Sequence, residues 1–284
     1  MKLIRIPLFI LMISFLVTAN AQADQAKEIM EEVDRIARES SSSVVQKIKL
    51  MTCTYGKKGK KTVCTKKPRI KLLESAQKDV GVDGKDSKAI SFILEPIGEK
   101  GMGMLSFEFD DPDKDTINWL YLSAMGKVKK IVSGESEDDE GSSFFGSEFL
   151  LEDMENAEIE DYQYKLLKEG NYGKRPVWVI EAIPTKKRLR KTKYGKSKMW
   201  IDRERKIVLM TQLFDKRMQA YKQISMSSIE KINGIWTAKS VLVRNLKSKR
   251  MSIMKLESIR YNVEISEQFL TQRSLVDFAY RERE

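Results

Sequence analysis

The 284-residue chain reads as a mainly β protein of antiparallel strands preceded by one amphipathic helix. Three observations carry that reading. Segments rich in β-branched and aromatic residues recur at short spacing, separated by glycine, asparagine or charged turns. Only one long segment, near the N-terminus, shows clear helical periodicity. Several of the expected strands are apolar on both faces, as in "VWVIEAI" (177–183) and "IVLMTQLF" (207–214). A one-sided sheet open to water would alternate polar and apolar residues, so both faces must meet something apolar.

The elements follow in order. Lys2 and Arg5 precede an apolar run from Ile6 to Val17, and "ANAQA" supplies a small-residue cleavage site after Ala23. Residues 1–23 are therefore expected to be a signal peptide and 24–284 a single domain. The run falls short of the ~20 residues that span a bilayer. Removing Lys2 and Arg5 lowers the formal charge from +11 to +9, still basic. A bacterial chain with such a signal is expected to be soluble in the periplasm or secreted, where a basic charge favours an anionic lipid surface or an acidic partner over nucleic acid.

"QAKEIMEEVDRIARES" then places Ile29, Val33 and Ile36 on one face of a helix. The strands come next: "VVQKIKLMTCTY", "KTVCTKKPRIKLLES", "KAISFILEPIG", "MGMLSFEFDD" and "INWLYLSAMGKVKKIV", the last turning at Gly126. After an acidic loop, "EDYQYKLLKEG", "RPVWVIEAIPT" and three long hairpin-like runs reach Asn262. The count is about 10–11 strands. "SEQFLTQRSL" (266–275) is the second expected helix.

Cys53 and Cys64 flank a hairpin centred on Lys58-Gly59, which puts them opposite each other. In an oxidising compartment this favours a structural disulfide over two free thiols, or over a metal site lacking further ligands. The chain contains no histidine, which excludes Ser-His-Asp and Cys-His catalysis and imidazole-ligated metals. No paired-carboxylate motif or glycine-rich phosphate loop replaces them, so neither enzyme nor cofactor is expected. Basic clusters at 57–71 and 186–198 carry eight cations each. They read as solvated surfaces attracted to anionic headgroups. With only Tyr55 and Tyr194 as stacking aromatics, and an export signal ahead of them, they do not read as a nucleic-acid site.

The stretch "ESEDDEGSSFFGSEFLLEDME" sets Phe144 and Phe145 in a glycine-serine frame after the acids of Glu135–Glu140. The pair either staples the loop to the sheet or forms a gate over an apolar cavity.

The ordered run "SSFFGSEFLLEDME", "DYQYKLL", "VWVIEAIP", "KMWIDRE", "VLMTQLFDK", "YKQISMSSIEKINGIWTAKSVLVRN" and "EISEQFLTQRSL" resembles the outer-membrane lipoprotein-sorting proteins, the LolA-like family. The resemblance implies an incomplete, strongly curved antiparallel β-barrel with helices across its open side. It also implies a cavity holding acyl chains of lipid or lipoprotein, and a partner among inner-membrane transporters of the resistance-nodulation-division type. On that reading the wall residues are Trp119, Tyr121, Trp178, Ile180, Trp200 and Trp236, with Ile29, Val33 and Ile36 on the covering helix and Phe144 and Phe145 as gate. The alternative on the same fold is a sensor or adaptor for lipidated or misfolded envelope proteins. The basic hairpin and the charged loops have no counterpart in the resemblance.

Overall fold

The computed structural model describes residues 9–59, 61–81, 84–111, 113–132, 143–156 and 158–277, with side chains from residue 23 onward. Helix α1 (Phe9–Glu39) leads into β1 (Ser43–Lys58), β2 (Lys61–Cys64), β3 (Arg69–Val80), β4 (Asp86–Glu95), β5 (Gly103–Glu108), β6 (Ile117–Leu122) and β7 (Lys127–Val132). The second half holds β8 (Tyr162–Tyr172), β9 (Arg175–Pro184), α2 (Lys186–Lys191), β10 (Tyr194–Asp202) and β11 (Val208–Asp215). It ends with β12 (Ala220–Ile232), β13 (Ile235–Asn245), β14 (Arg250–Tyr261) and α3 (Gln272–Val276).

Neighbouring strands pair antiparallel in the order β7-β6-β5-β4-β3-β1-β14-β13-β12-β11-β10-β9-β8, with β2 added to β1. The sheet is curved and does not close: β7 and β8 are its two edges. This is the expected incomplete barrel. The described residues form fourteen strands rather than 10–11, because several reversals carry no glycine or proline cue. Lys206, Met218 and Lys249 sit in left-handed backbone at such turns, with φ of 56°, 60° and 56°. The second expected helix shortens to α3, preceded by turns. The acidic residues Glu135–Glu140 lie outside the described residues.

Cys53 and Cys64 are bonded, with Cα atoms 5.8 Å apart. The hairpin register differs from the sequence expectation: Tyr55, not Cys53, pairs with Cys64, and Lys58 pairs with Lys61. The turn therefore sits one residue later, at Gly59 (φ 62°), and the bridge runs diagonally.

Candidate functional site

The edge strands β7 and β8 are consecutive in the chain, so their connection must travel from one side of the open barrel to the other. Of its described residues, 143–156 lie across the middle of the concave face and pack into it. Phe144, Phe145, Phe149 and Leu151 are buried against Ile48 and Leu50 of β1, Leu73 of β3, Ile93 of β4 and Val243 of β13. The two phenylalanine rings meet edge to face at 4.7 Å between centroids. Each is only 5% exposed, so the pair is a plug in the trough rather than an exposed tip. A tight turn directs both rings inward: Phe145 and Gly146 take φ of 48° and 72°. Left-handed backbone is unusual for a phenylalanine and natural for the glycine after it.

Polar anchors hold the plug down. Lys222 and Asp153, each with a side chain 1% exposed, form an ion pair at 2.7 Å. The Lys222 ammonium also donates to the Tyr194 hydroxyl at 2.9 Å. Burial raises the Tyr194 phenol well above its usual range, so it stays protonated and donates to Asp153. Glu148 accepts from Asn245 at 3.0 Å and pairs with Arg250 at 3.0 Å. Its backbone N–H donates to the Ser252 hydroxyl, which in turn meets Thr52. Lys71 donates to the Phe145 carbonyl at 2.9 Å. Beside the plug an open groove of about 380 Å³ has Arg69, Lys71 and Arg250 around Met102, Leu120 and Phe145.

Helix α1 covers the β8–β10 end of the same face. Ala26, Ile29, Met30 and Val33 pack with Tyr164 and Leu166 of β8, Trp178, Ile180 and Ala182 of β9, and Met199 and Ile201 of β10. Thus Ile29, Val33, Trp178 and Ile180, expected from the sequence to share a wall, are in one cluster. Ile36 is half-buried on the helix beyond it.

The other four aromatics of the expected wall do not line the trough. Trp119 and Tyr121 alternate with Asn118 and Leu120, and they pack with Phe92, Leu105, Leu270 and Leu275 on the opposite face. Trp200 joins Val177, Val179 and Leu209, likewise on that convex face. Trp236 is 37% exposed, with the Arg205 guanidinium 4.6 Å from its ring centroid. The strand run "NWLYL" could not reveal this, since Leu120 and Leu122 on one face and Trp119 and Tyr121 on the other are both fit for burial. Only the register decides which face looks inward.

What the sequence reading missed is a polar half of the trough. Strands β1, β3, β4, β5 and β6 each change character along their concave face. Apolar Ile48, Leu73, Ile93, Met104 and Leu120 give way to Gln46, Ser75, Ser91, Ser106 and Asn118. These polar residues line a cavity of about 190 Å³ roofed by Phe144, Leu151 and Met154. Ser91 and Ser75 hydroxyls bond at 3.0 Å, and Ser106 donates to the Asn118 side-chain carbonyl at 2.5 Å. The Asn118 amide nitrogen, on a residue 2% exposed, has no hydrogen-bond partner among the described residues. At the cavity's end Glu108 accepts from the Asn156 backbone N–H at 2.6 Å. Burial, with a smaller contribution from the nearby Glu155 carboxylate, pushes the Glu108 carboxyl up to about 7. A sequence signal existed: serines four apart on one strand face in "SKAIS" (Ser87 and Ser91), and single serines in "ESAQ" (Ser75) and "LSFE" (Ser106), where β-branched residues would be usual.

The basic clusters are partly neutralised. Lys187 pairs with Asp113, Lys191 with Asp115 and Lys196 with Glu181. Among the described residues, no group of His, Cys, Asp and Glu could hold a metal ion. Among the same residues, no helix is long and apolar enough to cross a membrane.

This architecture of an open curved sheet with an N-terminal helix is shared, as a fold, with several solved structures. A DUF1329 family protein from Desulfovibrio piger superposes with a TM-score of 0.77 at 22% identity, over 89% of this chain and 99% of that one. An outer-membrane lipoprotein-sorting protein domain from Vibrio parahaemolyticus gives 0.74 at 21%, over 90% and 100%. A LolA superfamily protein from Nitrosomonas europaea gives 0.62 at 15%, over 88% and 98%. At these identities the likeness is one of fold. No curated protein matches the chain. A family model described as "uncharacterized protein" matches residues 85–277, from β4 through α3, and the chain belongs to that family.

Proposed function

We propose that the protein is a non-enzymatic periplasmic carrier that holds acyl chains of a lipidated protein or lipid in the trough and moves them towards the outer membrane. One observation carries this reading. The apolar half of the concave face is closed by an irregular connection instead of a second sheet, and its phenylalanines occupy the seat an acyl chain would take. An acyl chain loses about 0.8 kcal/mol of unfavourable hydration per buried CH₂. Exchanging the Phe144, Phe145, Phe149 and Leu151 side chains for methylenes conserves apolar contact, so loading and release are close to balanced.

The fold shared with a lipoprotein-sorting domain supports the same reading. The open groove lies at the plug's edge; Lys71 and Arg250 there are paired with Glu99 and Glu148, and Arg69 is the lining cation that suits an anionic headgroup during transfer. Docking onto an inner-membrane transporter of the resistance-nodulation-division type fits a carrier of this design. Residues 1–23 act as the export signal, and the packed part of α1, from Ala26, remains after their removal.

The test is native mass spectrometry of protein isolated from the periplasm of cells expressing the full chain, followed by organic extraction. Co-purifying acyl-containing lipid or lipopeptide is expected. A clean protein mass with no uptake of added phospholipid or lipopeptide would overturn the carrier reading.

A further inference from the structure

We propose that the serine-lined half of the trough is a binding site for an uncharged, polyhydroxylated group, a sugar or glyceryl moiety. The inference stands on the lining itself and needs no acyl chain above it.

The chemistry of the lining selects the ligand by elimination. An acyl chain would leave the Asn118 amide nitrogen without a partner and would lie against the Ser75, Ser91 and Ser106 hydroxyls, which bond only to one another and to Asn118 and offer hydrocarbon nothing. Each buried polar group without a partner costs roughly 1–3 kcal/mol. An anionic group would meet the Glu155 carboxylate, and no lysine or arginine lines the cavity to offset it. A cationic group would need a free ionised carboxylate. Yet Glu108 is already bonded by the Asn156 backbone N–H at 2.6 Å and its side-chain amide at 3.3 Å, and burial favours its neutral form.

What remains is a ligand that both donates and accepts without charge. Hydroxyl groups do both, as do the serine hydroxyls and the Gln46 and Asn118 amides facing them. The unpartnered Asn118 nitrogen asks for one acceptor at a fixed place. The volume of about 190 Å³ is far above the ~10–15 Å³ that one water needs. Phe144 and Leu151 form the roof, against which the C–H faces of a sugar or glycerol would pack. Directly beyond them lies the apolar half. A ligand with a hydroxylated head and an acyl tail would therefore meet matching chemistry on both sides of one plug.

The sources of such a group are a free polyol or the headgroup of a neutral lipid. Binding of glucose and glycerol is measured by saturation-transfer NMR, and binding of glucosyl-diacylglycerol and diacylglycerol in detergent by competition against a fluorescent acyl probe. Phosphatidylglycerol and phosphatidylethanolamine serve as charged comparisons. Two variants report on the site. Asn118→Leu removes the unpaired amide. Ser75→Val with Ser91→Val removes both partners of one hydrogen bond, so neither is orphaned, and keeps the proposal testable if Asn118→Leu does not fold.

Binding of glucose or glycerol that falls at least tenfold in a folded variant supports the site with a free polyol as its source. Variant-sensitive binding of the neutral lipids alone supports it with a headgroup as the source. Binding of neither a free polyol nor a neutral lipid, binding unchanged in the folded variants, or equal binding of the charged phospholipids would overturn it. Failure of the carrier reading looks different, since free glucose would then bind while no acyl lipid does.

Discussion

Glu108 couples the polar cavity to pH. Its carboxyl sits near 7 in the folded protein against an ordinary value of 4.5, because burial disfavours the anion. The folded state therefore binds more protons than the unfolded state between those values, and stability falls as pH rises from about 4.5 to 7. Glu108→Gln should flatten that part of the stability–pH curve and raise the melting temperature at pH 8 by several degrees. Thermal unfolding followed from pH 4 to 8 reads both, and parallel curves for the two proteins would contradict the assignment. The Lys222–Asp153 pair behaves differently, since each ion is buried with its partner. Asp153→Asn leaves the ammonium without its countercharge and should cost about 3–5 kcal/mol, as broken buried pairs do. Lys222→Met with Asp153→Leu removes both charges and should cost much less in urea unfolding. Equal losses in the single and double variants would mean that the pair does not act as a unit.

At the scale of elements, the plug segment 143–156 has two jobs whose energetics can be separated. Phe144→Ala with Phe145→Ala empties the centre of the trough. Each large-to-small change in a core costs about 3–5 kcal/mol. The free protein should therefore lose on the order of 10–20 °C in melting temperature for a domain this size. If these rings occupy the ligand's seat, added acyl lipid should restore much of that loss, because binding to the folded state alone stabilises by mass action. A loss that lipid does not repair would leave the pair as core only. How much of this was legible follows from the same elements. The helix stripe Ile29-Val33, the doubly apolar β9, the cysteine hairpin and the weight of β-structure could be read directly, since each is a local pattern. The gate residues were found for their odd setting, but their burial was not, because it depends on a connection crossing between the two sheet edges. Trp119, Tyr121 and Trp200 read as trough residues from sequence because size and aromaticity are visible there and facing is not. Ser75, Ser91, Ser106 and Asn118 went unread for the opposite reason. Small polar residues on a strand look like a solvent face until the sheet curls around them.

For the whole molecule, the open edge between β7 and β8 makes the trough adaptable. A closed barrel would fix its interior volume, whereas here one chain segment sets how much of the interior is filled. Loading should therefore change the plug and leave the sheet as it is. The backbone N–H groups of Phe144, Ser147, Glu148, Leu150 and Asp153 are all hydrogen-bonded in this structure, so each is a reporter of plug position. Hydrogen exchange on protein with and without bound acyl lipid should show faster exchange across 143–156 in the loaded form. The long ladders of β1 with β14 and β12 with β13 should remain protected, since their partners do not change. α1 supplies the internal comparison. Its packing through Ile29 and Val33 belongs to the other end of the trough, so its protection should follow the sheet if the plug alone moves. Faster exchange in both α1 and the plug would mean that the whole concave face opens and that the acyl seat extends to Trp178 and Ile180. Unchanged exchange in both, with lipid demonstrably bound, would place the ligand outside the trough and remove the displacement mechanism.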